Sequence, residues 1–262
     1  MDPTNRTDAS CVPREAEDVL DLFGSICDRA AAVVASNADW GASGRRDGQY
    51  SVDLDVDEVC VQPLMAAGFD VLSEESGLQL QGPAMGDDVV VVDPLDGSTN
   101  ASLGLPWCAT ALCLVSRGAP AVAMVTNLAT GDRYTAVQAR GANRNGRPIL
   151  VAAASPLAES IVAVNGLPAA HWGWEQFRAM GAAALDIAAV ARGGFDGYVD
   201  TTTDSHGVWD YLASVLILTE AGGVAVDAAG RDLVVLEHGA RRTPVVASHG
   251  ALLDQLVAER TA

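Results

Sequence analysis

The segment VVVVDPLDGSTN, residues 89–100, carries the strongest structural signal in this chain. Its run of valines is typical of a strand that is buried on both faces. We expect the strand to stop at Asp93-Pro94, because proline has no N–H to donate to a neighbouring strand. Asp93 and Asp96 would then lie close together at a turn, where their carboxylates repel each other unless a cation lies between them. A hard divalent cation such as Mg2+, which takes oxygen ligands and leaves room for a substrate phosphate, suits this position.

Gly97, Ser98 and Thr99 follow the second carboxylate directly. Backbone N–H groups and hydroxyls in such a step can point at an anion. The segment therefore predicts metal-assisted phosphate chemistry at the carboxyl end of a strand.

Composition excludes several classes of protein. The chain has 262 residues and a net charge of −18, so its surface repels nucleic acid and anionic membranes. Its apolar runs are too short to cross a bilayer, and its first residues lack the pattern of a signal peptide. We expect a cytoplasmic protein that binds neither nucleic acid nor membrane. The five cysteines form no C-x-x-C pair, which indicates reduced and mostly buried thiols rather than a zinc site.

Local periodicity predicts an α/β chain. In the first half we expect a helix up to about residue 37 and a second helix over residues 57–67, which Pro63 could kink. A short strand at residues 71–72 precedes the central one. Strand-like runs at residues 109–115, 121–125 and 133–137, separated by glycine-rich turns, have the rhythm of an antiparallel meander.

The pattern changes beyond residue 153, where strands and helices alternate. Strands are predicted at residues 161–164, 197–199, 224–226 and 244–247, and helices at residues 174–180, 183–191, 209–221 and 251–259. We therefore predict an N-terminal α+β domain over residues 1–152, carrying most of the metal ligands, and a C-terminal α/β domain over residues 153–262.

Three further acidic sites can join the central carboxylates. Glu74 lies at another predicted strand end, and Asp210 follows Trp209 at the start of an apolar helix. Asp57 lies where the second helix should begin. Each of these acids also has an ordinary structural explanation. Glu74 could be a solvated loop residue, Asp210 could interact favourably with the helix dipole, and Asp57 could be an N-cap.

The segments SEESG, DPLDGSTN and WDYLASVLILTEAGG, in this order, resemble the inositol monophosphatase family of Mg2+-dependent, lithium-sensitive phosphomonoesterases. The resemblance extends from the region of Asp57 through residues 139–147 to Gly223. It implies a layered α-β-α-β-α sandwich of the sugar-phosphatase type and a homodimer.

The resemblance also implies a set of metal ligands. Glu74, Asp93 and the backbone carbonyl of Leu95 would hold a first ion, and Asp93 would bridge to a second ion held by Asp96 and Asp210. A third, weaker ion would lie near Glu74. The expected cofactor is therefore two to three Mg2+ ions, with Mn2+ as a possible substitute.

The catalytic residues implied by the resemblance are Asp57, Ser98 and Glu74. The N–H groups of Gly97 and Ser98 would bind the phosphate, while Asp57 and the Ser98 hydroxyl would orient the attacking water. Leu54 stands where the family usually has a threonine, which leaves two neighbouring carboxylates, Asp53 and Asp55, as alternatives to Asp57.

The substrate-binding residues are the least defined by the sequence. Inositol-preferring members often have a glutamate seven residues before the metal-binding aspartate, where this chain has Thr203 with Asp204 beside it. Asp186 could accept a substrate hydroxyl or cap its own helix, and His206 is the histidine nearest the motif. The full set of candidates is Gly181, Ala182, Asp186, Thr203, Asp204 and His206.

The predicted function is Mg2+-dependent hydrolysis of a small polyol phosphate by a metal-activated water, with inositol monophosphate as the leading substrate. Histidinol phosphate, a sugar phosphate such as fructose 1,6-bisphosphate and a nucleotide 3′-phosphate are alternatives. An aspartyl-phosphate mechanism of the haloacid-dehalogenase type is less compatible, because its aspartates are two residues apart and share a face of a strand, whereas Asp93 and Asp96 are three apart. A non-catalytic, metal-dependent phosphate-binding protein is the remaining alternative.

Overall fold

Two β-sheets alternate with three layers of helices in this computed structural model, which describes residues 16–46 and 48–261. Helices α1 (Ala16–Ser36) and α2 (Ser51–Ala66) cover one face of the larger sheet. Helices α4 (Ala183–Ala191) and α5 (Val208–Glu220) lie between the sheets, and α6 (Gly250–Thr261) covers the far face of the smaller sheet. The predicted α-β-α-β-α sandwich is therefore confirmed.

The larger sheet has eight strands in the spatial order β2-β1-β3-β4-β5-β6-β7-β8. Its strands are β1 (Asp70–Ser73), β2 (Gly77–Gln79), β3 (Asp88–Asp96), β4 (Ala109–Ser116), β5 (Ala119–Asn127), β6 (Arg133–Val137), β7 (Ala142–Arg144) and β8 (Arg147–Pro148). Strands β3 to β8 form an antiparallel meander. The three runs predicted for it are β4, β5 and β6, whereas β7 and β8 were not predicted. Strand β1 instead runs parallel to β3, with Ser73 beside Val92, so the carboxyl ends of both strands meet at one edge.

The smaller sheet has five strands in the spatial order β10-β9-β11-β13-β12. Its strands are β9 (Ile161–Asn165), β10 (Gln176–Arg178), β11 (Gly197–Asp200), β12 (Val224–Asp227) and β13 (Pro244–Ala247). The helix predicted over residues 174–180 is wrong, because this segment forms the edge strand β10, paired in parallel with β9. The helical spacing of Trp174 and Phe177 serves a ring contact instead, with centroids 6.0 Å apart.

Strand β3 continues beyond the point where proline was expected to end it. The pairing with β4 shifts register between Asp93 and Asp96, so Pro94 lies in a bulge. A bulge leaves a residue outside the hydrogen-bonded ladder, and the missing N–H of proline therefore costs little there. The carbonyl of Pro94 accepts a hydrogen bond of 2.8 Å from the Thr110 hydroxyl, which fixes the bulge against β4.

Helix α2 begins at Ser51 and not at residue 57. The carboxylate of Asp53 accepts a hydrogen bond of 2.8 Å from the backbone N–H of Tyr50, which caps the helix early. Asp57 therefore lies in the second turn, and its interpretation as an N-cap is wrong. Pro63 lies inside the helix near its last turn.

The valines of β3 contact a hydrophobic cluster on each side of the sheet. Val89 and Val91 belong to the cluster shared with α4 and α5, while Val90 and Val92 belong to the cluster under α1 and α2. The prediction of a strand buried on both faces is confirmed. The cluster around α4 and α5 also includes Tyr198 and Val246 of the smaller sheet, so one core joins the two sheets.

The chain crosses between the sheets after β8 and before β9, where the sequence places the boundary between residues 152 and 153. Because one core joins both sheets, the division into two domains stays a prediction. None of the helices in the described residues combines the length and the apolar character that crossing a bilayer requires. Cys27, Cys60, Cys108 and Cys113 are free and buried, as predicted, and Cys11 lies outside the described residues.

Candidate metal and phosphate site

The parallel pairing of β1 and β3 brings the central carboxylates together. Glu74 directly follows β1, and its N–H donates to the carbonyl of Val92 at 3.1 Å. Asp93 lies one residue further along β3, at the start of the bulge. This arrangement is the one expected when the carboxyl ends of parallel strands share an edge.

Asp210 reaches the same point from a helix. It is the third residue of α5, and its Oδ2 accepts a hydrogen bond of 2.6 Å from the N–H of Gly207. One carboxylate oxygen each from Glu74, Asp93 and Asp210 lies within 4.8 Å of the other two. Three of the predicted metal ligands are thus brought within reach of one cation.

Asp96 lies beside this group and is oriented by the middle helical layer. Its Oδ2 accepts a hydrogen bond of 2.7 Å from the N–H of Ala184, in the first turn of α4. The carboxylate borders the same cavity as Asp210. The helix amide therefore holds one oxygen of Asp96.

The donor set fits a divalent cation. Oδ1 of Asp93 accepts a hydrogen bond of 3.1 Å from the N–H of Leu95, while Oδ2 is enclosed by protein and has no hydrogen-bond partner among the described residues. A buried carboxylate oxygen without a donor is costly unless a cation or a proton satisfies it. The role of the Leu95 carbonyl as a ligand stays a prediction.

Burial and mutual repulsion disturb the titration of all four carboxylates. Burial and the neighbouring charges of Asp210 and Glu75 raise the pKa of Glu74 to about 8. Burial raises the pKa values of Asp93 and Asp96 well above their usual range, with further repulsion from neighbouring acids, and burial also raises the pKa of Asp210. Without a cation, the folded protein holds protons at this site.

This arrangement predicts that the metal-free protein loses stability as pH rises. An acid whose pKa is raised on folding favours the folded state at low pH, and this contribution disappears between its unfolded pKa and its folded pKa, here up to about 8 for Glu74. We expect the melting temperature in EDTA to fall by ~3 °C or more from pH 5.5 to pH 8.5. Mg2+ should reverse most of this fall, as measured by thermal unfolding at each pH. A melting temperature that rises with pH in EDTA would contradict the argument.

Arg46 supplies positive charge beside the cluster. Its guanidinium donates to Glu74 and to Glu75, each at 3.1 Å. Arg46 was not among the predicted site residues, because Glu74 and Glu75 lie 28 and 29 residues further along the chain and no motif links them to it.

His238 and Trp209 link Glu74 to the helix that carries Asp210. Nε2 of His238 donates to the backbone carbonyl of Glu74 at 2.9 Å, and its ring lies 4.9 Å from the ring of Trp209. The guanidinium of Arg241 lies over the ring of Trp209 at 5.1 Å. Its positive charge offsets part of the rise in the pKa of Asp210 that burial causes. His238 was not among the predicted site residues, because no recognisable motif surrounds it in the sequence.

Asp57 is the member of the DLDVD segment that faces the site. Its Oδ1 accepts a hydrogen bond from the hydroxyl of Ser73, the last residue of β1. Asp53 caps α2 instead, and Asp55 is exposed. The geometry therefore favours Asp57 over both alternatives, although its role in orienting water stays a prediction.

Ser98 begins the short helix α3 (Ser98–Ser102) and is partly buried. Among the described residues, its hydroxyl does not bond to Asp57. The predicted pair of Asp57 and Ser98 is thus not joined directly, and Ser73 is a partner that the sequence analysis missed.

Gly97 forms a tight turn against the middle of the molecule. Its φ is +79°, a conformation that favours glycine. A Cβ at this position would lie 2.8 Å from the carbonyl oxygen of Trp107 and 3.0 Å from the Cβ of Ala182. The turn can therefore lie against residues 181–182 only because position 97 has no side chain.

A cavity of about 230 Å3 opens beside these residues. It is lined by Asp96, Val164, Asn165, Gly181, Ala182, Ala183, Asp186, Tyr198, Ser205, His206 and Asp210. Four of the six predicted substrate-binding residues are in this lining. Thr203 and Asp204 are not, because Thr203 accepts a hydrogen bond of 3.1 Å from Arg260 and Asp204 pairs with Arg231 at 2.5 Å. The geometry does not favour these two as substrate ligands.

His206 is held at both ring nitrogens. Nδ1 lies 2.9 Å from Oδ2 of Asp200, and Nε2 lies 2.9 Å from the hydroxyl oxygen of Tyr198. Burial opposes a charge on His206, yet the hydrogen bond to Asp200 and the negative charge of Asp210 raise its pKa. Asp200 and Tyr198, which lie on β11, were not among the predicted site residues.

Asp186 does not cap its own helix. Its Oδ1 accepts a hydrogen bond of 2.9 Å from the indole N–H of Trp107, 79 residues away. Burial raises the pKa of Asp186 to about 8, partly offset by the Trp107 hydrogen bond. Of the two interpretations of Asp186, capping is therefore wrong.

The geometry has counterparts among known proteins. The sequence profile described as the inositol monophosphatase family matches residues 14–262. The chain belongs to this family. Its members are phosphatases and generally depend on metal ions, in agreement with the acidic cluster.

Individual family members cover most of the chain. A fructose-1,6-bisphosphatase/inositol-1-monophosphatase from Thermococcus kodakarensis is 32% identical over 236 residues, which cover 88% of this chain and 86% of the relative. An inositol-1-monophosphatase from Rhizobium meliloti is 33% identical over 206 residues, 71% of this chain and 74% of the relative. A solved structure from Pyrococcus horikoshii, described as similar to inositol-1 monophosphatase, has a TM-score of 0.80 at 23% identity and covers 93% of this chain and 96% of its own. The fold of this chain is therefore the same as that of the solved structure.

Proposed function

We propose that this protein hydrolyses a small polyol phosphate monoester with the help of Mg2+. The observation that carries the proposal is the convergence of Glu74, Asp93 and Asp210 within 4.8 Å, with an enclosed, unpartnered Oδ2 on Asp93. Glu74, Asp93, the carbonyl of Leu95, Asp96 and Asp210 would hold two ions, and a third would lie near Glu74. Bound divalent cations would supply phosphoryl-oxygen stabilisation and a water of lowered pKa.

The protein residues position the reactants around that site. The N–H groups of Gly97 and Ser98 would bind the phosphate. The turn that presents them lies close to the carbonyl oxygen of Trp107, which is possible only because Gly97 has no side chain. Asp57, fixed by the Ser73 hydroxyl, would orient the attacking water and accept its proton. Ser98 would contribute its hydroxyl on the same side.

The cavity beside Asp96 and Asp210 would take the alcohol part of the substrate. Among the described residues, none of its lining side chains is lysine or arginine. A second phosphate would therefore meet carboxylates without a compensating cation, which disfavours a bisphosphate and a nucleotide 3′-phosphate. Inositol monophosphate is the leading substrate, and histidinol phosphate and a sugar monophosphate are the alternatives.

A screen for phosphate release tests the proposal. We expect Mg2+-dependent release from at least one of inositol 1-phosphate, histidinol phosphate and a sugar monophosphate, with slower release from fructose 1,6-bisphosphate. EDTA should abolish the activity, and Mn2+ should restore part of it. Binding of inorganic phosphate without turnover of any ester would instead favour the non-catalytic alternative.

Three finer properties remain part of the proposal. Family resemblance supports inhibition by lithium, a homodimer and a cytoplasmic location. The acidic net charge of −18 supports a small-molecule substrate over a nucleic acid.

A further inference from the structure

The cavity beside the metal-site carboxylates is also lined by polar side chains that are not predicted metal ligands. Asp186 lies on α4 and is 1% exposed. One of its oxygens, Oδ1, is taken by the Trp107 indole at 2.9 Å. The other, Oδ2, has no hydrogen-bond partner among the described residues and is not among the enclosed orphan atoms, so it borders the cavity.

Trp107 joins this carboxyl group to the turn at Gly97. Its backbone carbonyl accepts a hydrogen bond of 2.8 Å from the side-chain amide of Asn100. The same carbonyl lies 2.8 Å from the position that a Cβ on Gly97 would occupy. Trp107 therefore contacts the proposed phosphate-binding turn through its backbone carbonyl and Asp186 through its indole.

Most of the other polar side-chain atoms in this lining make hydrogen bonds within the protein. Both ring nitrogens of His206 are used by Asp200 and Tyr198. The hydroxyl of Ser205 donates to Asp200 at 2.7 Å, and the side-chain amide of Asn165 also donates to Asp200, at 3.1 Å. Among the described lining residues that are not predicted metal ligands, Asp186 and Asn165 each have a side-chain oxygen without a hydrogen-bond partner, and Asp186 is the one that carries a carboxyl group. A carboxyl group held at one oxygen and open at the other is suited to a substrate hydroxyl.

We propose that Asp186 binds a hydroxyl of the leaving alcohol and that Trp107 is the positioning residue that orients Asp186 for it. This inference rests on the phosphatase function proposed above, and it specifies the substrate class as a monophosphate whose alcohol carries a second hydroxyl near the ester. A site of this kind strongly favours a substrate with the hydroxyl over an analogue without it, because the analogue leaves a buried polar group unpaired.

The experiment compares two substrates in the full-length protein with Mg2+. Inositol 1-phosphate offers hydroxyls to Asp186, whereas p-nitrophenyl phosphate offers none. The measured quantity is the selectivity ratio, which is kcat/KM for inositol 1-phosphate divided by kcat/KM for p-nitrophenyl phosphate. Asp186→Asn keeps the size of the side chain and an acceptor for the indole, and Trp107→Phe removes the indole donor but keeps an aromatic ring.

We expect the selectivity ratio to fall about 10- to 100-fold in Asp186→Asn and about 5- to 10-fold in Trp107→Phe. Trp172→Phe is the matched control, since Trp172 packs at the outer face of the smaller sheet, and its ratio should equal that of the wild type. A ratio within two-fold of the wild type in both Asp186→Asn and Trp107→Phe overturns the inference, even where both rates fall together. Wild-type protein that hydrolyses neither these two esters nor histidinol phosphate nor a sugar monophosphate overturns the phosphatase proposal itself. Asp186→Asn keeps the test decisive if Trp107→Phe does not fold.

Discussion

Replacing Asp93 with asparagine is expected to lower kcat by at least about two orders of magnitude, the scale of losing one strong electrostatic contact. Asp93 lies within 4.8 Å of both Glu74 and Asp210, and its Oδ2 has no protein partner in the described structure. An amide at this position cannot supply the same negative charge to a cation. Turnover should be measured with saturating substrate over a range of Mg2+ concentrations.

A control separates lost chemistry from lost structure. Asp88 begins the same strand, is exposed and accepts a hydrogen bond of 2.6 Å from the Ser116 hydroxyl, so Asp88→Asn should leave kcat unchanged. The melting temperature of Asp93→Asn in EDTA should equal or exceed that of the wild type, because asparagine replaces a carboxyl group whose ionisation is opposed by burial and by its acidic neighbours. Near-normal turnover of Asp93→Asn would refute the metal-site assignment.

Gly97→Ala is the second substitution with a large expected effect. Alanine would be strained at a φ of +79°, and its Cβ would lie 2.8 Å from the carbonyl oxygen of Trp107. The backbone strain and the overpacking amount to about 1–3 kcal/mol each. We expect a lower free energy of unfolding, measured by urea titration, and a loss of kcat, since the turn must move to relieve the contact.

Gly104→Ala provides a matched comparison for this prediction. Its φ is +70°, and nothing lies within 4 Å of the position of a new Cβ. The control therefore has the backbone strain without the collision, and activity should be retained. Equal losses of activity in the two variants would show that the contact with Trp107 is unimportant.

The fold was largely predictable because its signals are local. The valines of β3, the glycine-separated runs of the meander and the apolar helix α5 each have a periodicity that points to one structure. The two main errors also have local causes. Residues 174–180 have helical spacing but pair at a sheet edge, and Pro94 ends a strand only where no bulge accommodates it.

The site was predictable only where a motif marks it. Glu74, Asp93, Asp96 and Asp210 stand next to distinctive neighbours, and the structure brings three of them within 4.8 Å of one another. Their partners have no such marker. Ser73, which contacts Asp57, and Trp107, which contacts Asp186, become neighbours only through the packing of distant elements.

At the candidate substrate site, spacing along the chain and position in the structure differ. A fixed spacing from Asp210 selects Thr203, but the loop between β11 and α5 turns that residue towards Arg260. His206, near the other end of this loop, lines the cavity instead, and Asp200 holds its Nδ1. Spacing transfers between proteins only when the loop between the two positions keeps its length and path.

The placement of Asp210 on α5 has a consequence for the whole molecule. Glu74 and Asp93 belong to the larger sheet, whereas α5 also touches β12 of the smaller one. An ion bound by these three side chains would link the larger sheet to helix α5. Because the ion binds only when the three carboxylates are together, it would also oppose any separation of that helix from the sheet. Removal of the ion by a chelator would then weaken the attachment of α5 to the larger sheet as well as abolish catalysis.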